Sequence, residues 1–134
     1  MTSYIRIIRC WQSISESAAK QSKRNLIPQV FDVLTYKEAM AMAGEMDLFL
    51  LPYENERGMA ATREALEASR PGMKVAILIG PEGGFEEKEV LLAQEKGARS
   101  ISLGRRILRT ETAAITSIAM CMLHMETNLG GDAE

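Results

Sequence analysis

Apolar positions follow two rhythms along the chain. Over residues 8–22, Ile8, Trp11, Ile14, Ala18 and Gln21 recur at three- and four-residue spacing, the single stripe of an amphipathic helix. Ser22-Lys23-Arg24-Asn25 interrupts that stripe, and Pro28 closes it off. Residues 29–34 form a short β-like run. Thr35 then precedes a helical stretch over 36–43, with Glu38 three residues on as in a capping box and Gly44 as its stop. Asp47-Leu48-Phe49-Leu50-Leu51-Pro52 is a compact apolar run bounded by an acid and a proline, which predicts a central strand. A polar loop leads to a helix over 59–69, stopped by Pro71-Gly72. The strand over 74–79 continues from Lys74 as an unbroken rather than alternating apolar run, which predicts burial on both faces, as in a parallel sheet. A helix over 86–96 opens on acids and ends at Gly97. The last strand covers 99–103, and Thr110 stands at the cap of a final helix reaching about residue 126. Strand and helix alternate, so the fold class is α/β with a parallel sheet and flanking helices.

The start of the chain departs from that alternation. It opens on a basic helix, whereas a doubly wound domain normally begins with a strand that buries its first helix. The expectation is therefore a chain without the opening βα unit of its own domain.

Composition narrows the class. At 134 residues, 46% of them hydrophobic, the chain is long enough for one domain with a real core. No apolar run approaches the roughly 20 residues needed to cross a bilayer, and the first residues lack the apolar core of a secretory signal. The expected compartment is the cytoplasm. Cys10 and Cys121 lie far apart without metal-ligand spacing and among apolar neighbours, so both are expected as buried free thiols, and no metal is expected. The net charge of −2 argues against a strongly basic nucleic-acid binder. Charge is nevertheless unevenly spread: Arg6, Arg9, Lys20, Lys23 and Arg24 cluster near the start, and Arg99, Arg105, Arg106 and Arg109 near the end. Two basic patches suit a polyanion as well as they suit a solvated face.

Candidate chemistry sits in two strand-to-helix loops, which on a parallel sheet share one edge and form a crevice. In Ile79-Gly80-Pro81-Glu82-Gly83-Gly84-Phe85 the glycines match neither the dinucleotide fingerprint nor a Walker loop. A tight turn accounts for one glycine. It leaves Pro81-Glu82, a stiffened backbone followed by a carboxylate, which suits a loop held still against a ligand. In the second loop Arg105, Arg106 and Arg109 surround Ile107-Leu108, and Thr110-Glu111-Thr112 opens the helix. Core packing explains the apolar pair, and helix capping explains Thr110 and Glu111. Apolar residues between guanidinium groups also describe a site dry inside and cationic at its mouth.

Together, Ile79–Phe85 and Ser102–Ala113 resemble the signature of the SPOUT methyltransferases that modify uridine N3 in small-subunit ribosomal RNA. The resemblance continues through Asp47-Leu48-Phe49-Leu50-Leu51-Pro52-Tyr53-Glu54 and through Ala18-Ala19-Lys20-Gln21-Ser22-Lys23-Arg24 with Pro28. It departs at Arg105, where the family usually has proline, and the N-terminal RNA-binding barrel domain that family members carry is expected to be missing here. It implies one SPOUT domain over 1–134 lacking its first βα unit, a polar tail at 127–134, and a C-terminal trefoil knot. It also implies S-adenosylmethionine as cofactor, ribosomal RNA or the small ribosomal subunit as partner, and a homodimer whose interface includes the last helix. Ile115, Ile118, Ala119, Met122 and Met125 give that helix an apolar face wide enough for such a role, or for burial within its own subunit.

With that resemblance, Leu78, Ile79, Gly80, Glu82, Gly83, Leu103, Gly104, Ile107, Leu108 and Thr112 are the expected cofactor contacts. Arg109 is the candidate for stabilising negative charge on the uracil ring, and Glu111 for orienting Arg109 or accepting a proton. Gln21 and Arg24 match family positions near RNA, with Arg105 and Arg106 as further RNA contacts. The rival readings are a truncated, non-catalytic fragment that dimerises and binds cofactor or RNA weakly, and a nucleotide-binding α/β module unrelated to methylation. His124, the single histidine, is expected at a partly exposed or interface position rather than in catalysis.

Overall fold

A computed structural model describes residues 2–22, 26–53, 58–104 and 108–127, with side chains from Ile8 onward. The chain divides into two compact units, Met1–Lys37 and Glu38–Glu134.

The first unit holds helix α1 (Thr2–Gln21) and the segment after it. The face of α1 that turns inward differs from the expected one. Ile8, Gln12 and Ser15 are half-buried and Ala19 is buried, while Trp11, Ile14 and Ala18 are exposed. Hydrogen bonding sets this choice. Gln12 Nε2 donates to Pro28 O at 3.2 Å and Ser15 Oγ to the same carbonyl at 2.7 Å, while Val30 N–H donates to Gln12 Oε1 at 2.7 Å. Residues 29–34, expected as β-like, are therefore not a strand. Helix side chains take up backbone groups that a sheet would otherwise have to satisfy. Cys10 is exposed, against expectation, because it shares the outward side of α1 with Arg9 and Trp11.

The second unit follows the predicted alternation closely: α2 (Tyr36–Gly44, which begins just before it), β1 (Leu48–Pro52), α3 (Ala60–Ala68), β2 (Val75–Ile77), α4 (Glu87–Glu95), β3 (Arg99–Ile101) and α5 (Thr110–Thr127). The sheet is parallel with order β2-β1-β3. Leu48 pairs with Val75 and Leu50 with Ile77 on one side, and Leu50 with Arg99 and Pro52 with Ile101 on the other. Asp47 locks the start of the sheet: its N–H donates to Lys74 O at 2.9 Å and its Oδ2 accepts Lys74 N–H at 2.8 Å.

β1 is the centre of the unit, and Leu48, Phe49, Leu50 and Leu51 are all buried. Leu48 and Leu50 cluster with Ala65 of α3, Ile101 of β3 and Cys121 of α5. Strand alternation turns Phe49 and Leu51 to the other face, where they are buried as well. Full burial of one such leucine contributes about 1.5–3 kcal/mol. β2 corrects the expectation of burial on both faces: all its residues are only half-buried, with Val75 and Ile77 packed against the core cluster from one face. α4 begins as its acids predict, with Glu89 Oε1 accepting Glu86 N–H at 2.8 Å, and Gly97 follows it at φ +99°. The expected knot depends on the course of the chain between β3 and α5, where residues 105–107 lie outside the described residues.

Candidate functional site

Both candidate loops leave the C-terminal ends of strands that flank β1, so they meet at one edge of the sheet. The first is held from its root. Leu78 N–H donates to Leu50 O at 2.9 Å, extending the β2 ladder by one residue. Gly84 N–H then donates to Pro81 O at 2.9 Å, closing a turn whose tip exposes Glu82 and Gly83. The glycines here have different duties. A Cβ on Gly80 would stand 2.8 Å from Phe85 Cε2, so the Phe85 ring occupies the space that glycine leaves. Gly84 adopts φ +81°, a conformation that favours glycine. Gly83 has neither constraint, since a Cβ there meets nothing within 4 Å. The protein itself does not require glycine at Gly83, and the side-chain space beside it opens outward.

The second loop starts at Ser102. Ser102 Oγ donates to Gly104 O at 3.2 Å and accepts Gly104 N–H at 3.1 Å, and Gly104 sits at φ +110°. Leu103 is half-buried against the core cluster, and Leu108 is half-buried where the chain resumes. α5 begins with Ala113 N–H donating to Arg109 O at 2.8 Å. Thr110, expected as the cap, uses its hydroxyl otherwise: Oγ1 donates to Gly80 O at 3.3 Å, which ties the start of α5 to the loop after β2. Between Ile101 and Thr110 the chain thus passes from the β3 flank of β1 to the β2 flank. α5 packs on β2 from there.

Of the expected cofactor contacts, Leu78, Ile79, Gly80, Glu82 and Gly83 lie in the first loop and Leu103, Gly104 and Leu108 in the second, all at this edge. Thr112 is exposed in the first turn of α5, beside Glu111 and close to the exposed Arg109. Ile107, Arg105 and Arg106 lie outside the described residues, as does Arg24. Gln21 is the exposed last residue of α1, in the first unit. Arg109 runs against the helix dipole, which disfavours a cation at an N-terminus, whereas Glu111 agrees with it. Helix stability therefore explains Glu111 but not Arg109. His124 is half-buried near the far end of α5, beside Glu67, Arg70 and Pro71 and away from the loops. Among the described residues no group of three His, Cys, Asp or Glu side chains is placed to hold a metal ion.

Sequence reasoning missed Thr62. This α3 residue is 1% exposed, and its Oγ1 donates to Ser102 O at 2.7 Å and accepts Ser102 N–H at 2.9 Å. A buried threonine in an amphipathic helix carries no sequence signal, because its partner lies 40 residues away.

A parallel α/β sheet with paired glycine-bearing loops at one C-terminal edge defines a class of ligand-binding domain. The chain belongs to the family described as the RNA methyltransferase domain, which matches residues 2–122. It is 35% identical to ribosomal RNA small subunit methyltransferase E of Mesomycoplasma hyopneumoniae, covering 86% of this chain and 48% of that one. The Bacillus subtilis protein of the same name is also 35% identical, over 91% of this chain and 48% of its own. Among solved structures, a Legionella pneumophila protein in complex with SAM superposes with TM-score 0.80 at 30% identity, covering 91% of this chain and 48% of that one. A Neisseria gonorrhoeae ribosomal RNA small subunit methyltransferase E bound to S-adenosyl methionine gives 0.73 at 31% identity, over 92% of this chain and 50% of that one. The chain spans about half the length of the relatives it matches.

Proposed function

We propose that this chain forms the cofactor-binding part of an S-adenosylmethionine-dependent methyltransferase acting on N3 of a uridine in small-subunit ribosomal RNA. The observation that carries the reading is the Thr110–Gly80 hydrogen bond, which holds the two signature loops side by side at the sheet edge. The residues at this edge suit the cofactor. Backbone groups over residues 78–84 and 103–104, apart from those that hold the loops themselves, would meet adenine, ribose and the methionine moiety, and a Cβ on Gly83 would meet no protein atom within 4 Å, which leaves open space beside the turn tip. S-adenosylmethionine supplies, when bound, an electrophilic methyl group on a sulfonium.

The chain's residues prepare the reaction in three ways. Leu103 and Leu108, with Ile107, exclude water from a crevice where charges of opposite sign are neutralised as methyl passes to a deprotonated N3. The hydrogen-bonded loops fix the orientation in which the two reactants meet. Arg109, set against the helix dipole, balances the negative charge on the uracil ring, and Glu111 orients it. Gln21, Arg24, Arg105 and Arg106 supply cationic and polar contacts to the RNA backbone.

A homodimer completes the reading. Ile115, Ile118 and Met122 are 69%, 52% and 45% exposed along one side of α5, an apolar stripe that a second copy of the chain would cover. The second reading is a fragment that binds cofactor and dimerises without methylating, favoured by the half-length match to its relatives.

Calorimetry with S-adenosylmethionine and a methylation assay on unmodified small-subunit particles separate the readings. Arg109→Ala is expected to abolish turnover while changing cofactor affinity by less than about threefold. Unchanged turnover removes Arg109 from catalysis, and absence of cofactor binding in the parent chain removes the methyltransferase reading itself.

A further inference from the structure

We infer that Thr62 is a positioning residue for the cofactor crevice: its hydroxyl fixes the point at which the chain leaves the sheet and enters the 103–108 loop. The inference rests on the reading that this loop binds S-adenosylmethionine, and it assigns a part of that function to a helix outside both signature loops.

The sheet ladder ends before Ser102 does. Its last pairing on this side joins Pro52 to Ile101, and the following bond runs from Tyr53 N–H to Ile101 O at 3.0 Å. Ser102 is 4% exposed, so its backbone groups are shut away from water just where strand partners run out. Unpaired, each would carry the full cost of desolvation. Thr62 Oγ1 satisfies both, donating to the carbonyl at 2.7 Å and accepting from the N–H at 2.9 Å. A single hydroxyl thus replaces an entire strand neighbour for one residue. Few side chains can do this, because the group must donate and accept at one atom.

The effect passes directly into the loop. With its backbone held, Ser102 Oγ is placed to bond both Gly104 O and Gly104 N–H, at 3.2 and 3.1 Å. Those bonds hold Gly104 at φ +110°, a conformation that favours glycine. Thr62, Ser102 and Gly104 therefore form a relay running from the body of α3 to the crevice. Thr62 bonds Ser102, which is not itself among the expected ligand contacts.

The test combines calorimetry with S-adenosylmethionine and S-adenosylhomocysteine and amide hydrogen exchange at Ser102 and Gly104 by NMR. Thr62→Val keeps the shape of the side chain and removes the hydroxyl. It is expected to weaken binding of both ligands by about tenfold or more and to speed exchange at both amides. Thr62→Ser, which keeps a donor and acceptor at one atom, is expected to stay within about threefold of the parent. Rescue by serine is the readout that loss of helix packing does not mimic, because serine removes the methyl and valine keeps it.

If Thr62→Val does not fold, Ser102→Ala decides: it leaves both Thr62 bonds and removes only the hold on Gly104. The expected result is about fivefold weaker binding at an unchanged melting temperature. A folded Thr62→Val or Ser102→Ala protein with parental affinity overturns the inference. Should the parent chain bind neither ligand, the cofactor reading fails, and exchange still judges Thr62 separately. Parental exchange rates at Ser102 and Gly104 in Thr62→Val then overturn the clamp.

Discussion

Gly80 and Gly83 stand three residues apart in one loop and are glycine for different reasons. At Gly80 a side chain would run into the protein itself, because the Phe85 ring lies 2.8 Å from where a Cβ would stand and would have to shift. At Gly83 it would not. Gly80→Ala must displace the ring or the loop, at a cost of about 1–3 kcal/mol, and should lose both thermal stability and cofactor affinity. Gly83→Val should melt with the parent and yet lose cofactor affinity, since among the described residues a Cβ there meets nothing within 4 Å and a bound ligand would be what it obstructs. Differential scanning fluorimetry beside calorimetry checks the pair, and a Gly83→Val protein with normal affinity would take the turn tip out of the site. The sequence displayed these glycines as a motif but did not tell them apart. The difference lies in where Phe85 turns, which only packing decides.

The two cysteines make a similar contrast. Burial pushes the Cys121 thiol above its ordinary pKa, because the thiolate is poorly solvated there. The unfolded chain therefore gives up this proton first as pH rises. Stability from the buried thiol is complete below the ordinary value, about 8.5, and is lost as pH climbs from there through the raised native value. Denaturant melts between pH 7 and 10 should show this decline, and Cys121→Ala should flatten it. Iodoacetamide at pH 8 should label the exposed Cys10 in the native protein and Cys121 only after unfolding.

Among the elements, period and punctuation located nearly every helix and strand of the second unit to within a few residues. Side-chain burial was harder to read. The apolar run before Gly80 suggested a strand buried on both faces, yet β2 is only half-buried; hydrophobicity alone does not say how much cover the neighbouring elements give. The stripe through Trp11 and Ile14 was apolar enough to suggest the inner face of α1, but Gln12 and Ser15 face inward because Pro28 and Val30 need their hydrogen bonds. Residues 29–34 failed as a strand for that same reason. α5 carries apolar residues all round, and its buried side is the one with Ser117 and Cys121. Ile115, Ile118, Leu123 and Met122 remain outside. Ile118→Glu is expected to leave the fold intact, since the side chain is exposed, and to convert a dimer to a monomer in sedimentation velocity at micromolar concentration. A parent chain that sediments as a monomer under the same conditions contradicts the dimer.

At the scale of the whole molecule, three separate parts converge on one sheet edge, where the cofactor is proposed to bind: the loop after β2, the loop after β3 and the first turn of α5. The signature residues, Ile79–Phe85 and Ser102–Ala113, made all three visible in the sequence. The bonds that assemble them, Thr110 to Gly80 and Thr62 to Ser102, span 30 and 40 residues and left no periodic trace. Motifs therefore revealed which residues to examine, and long-range hydroxyl bonds determined how they are arranged.

The placement of β1 at the middle of the sheet also matters for how the protein is made. Leu48, Leu50 and Pro52 find their partners only in Val75, Ile77 and the 99–101 strand, all of which leave the ribosome later. At about 5–20 residues per second, this buried apolar segment waits several seconds for its neighbours during synthesis. Nascent-chain handling by chaperones should accordingly concentrate on polypeptides stalled between Pro52 and Ile101, and fade once Ile101 has emerged.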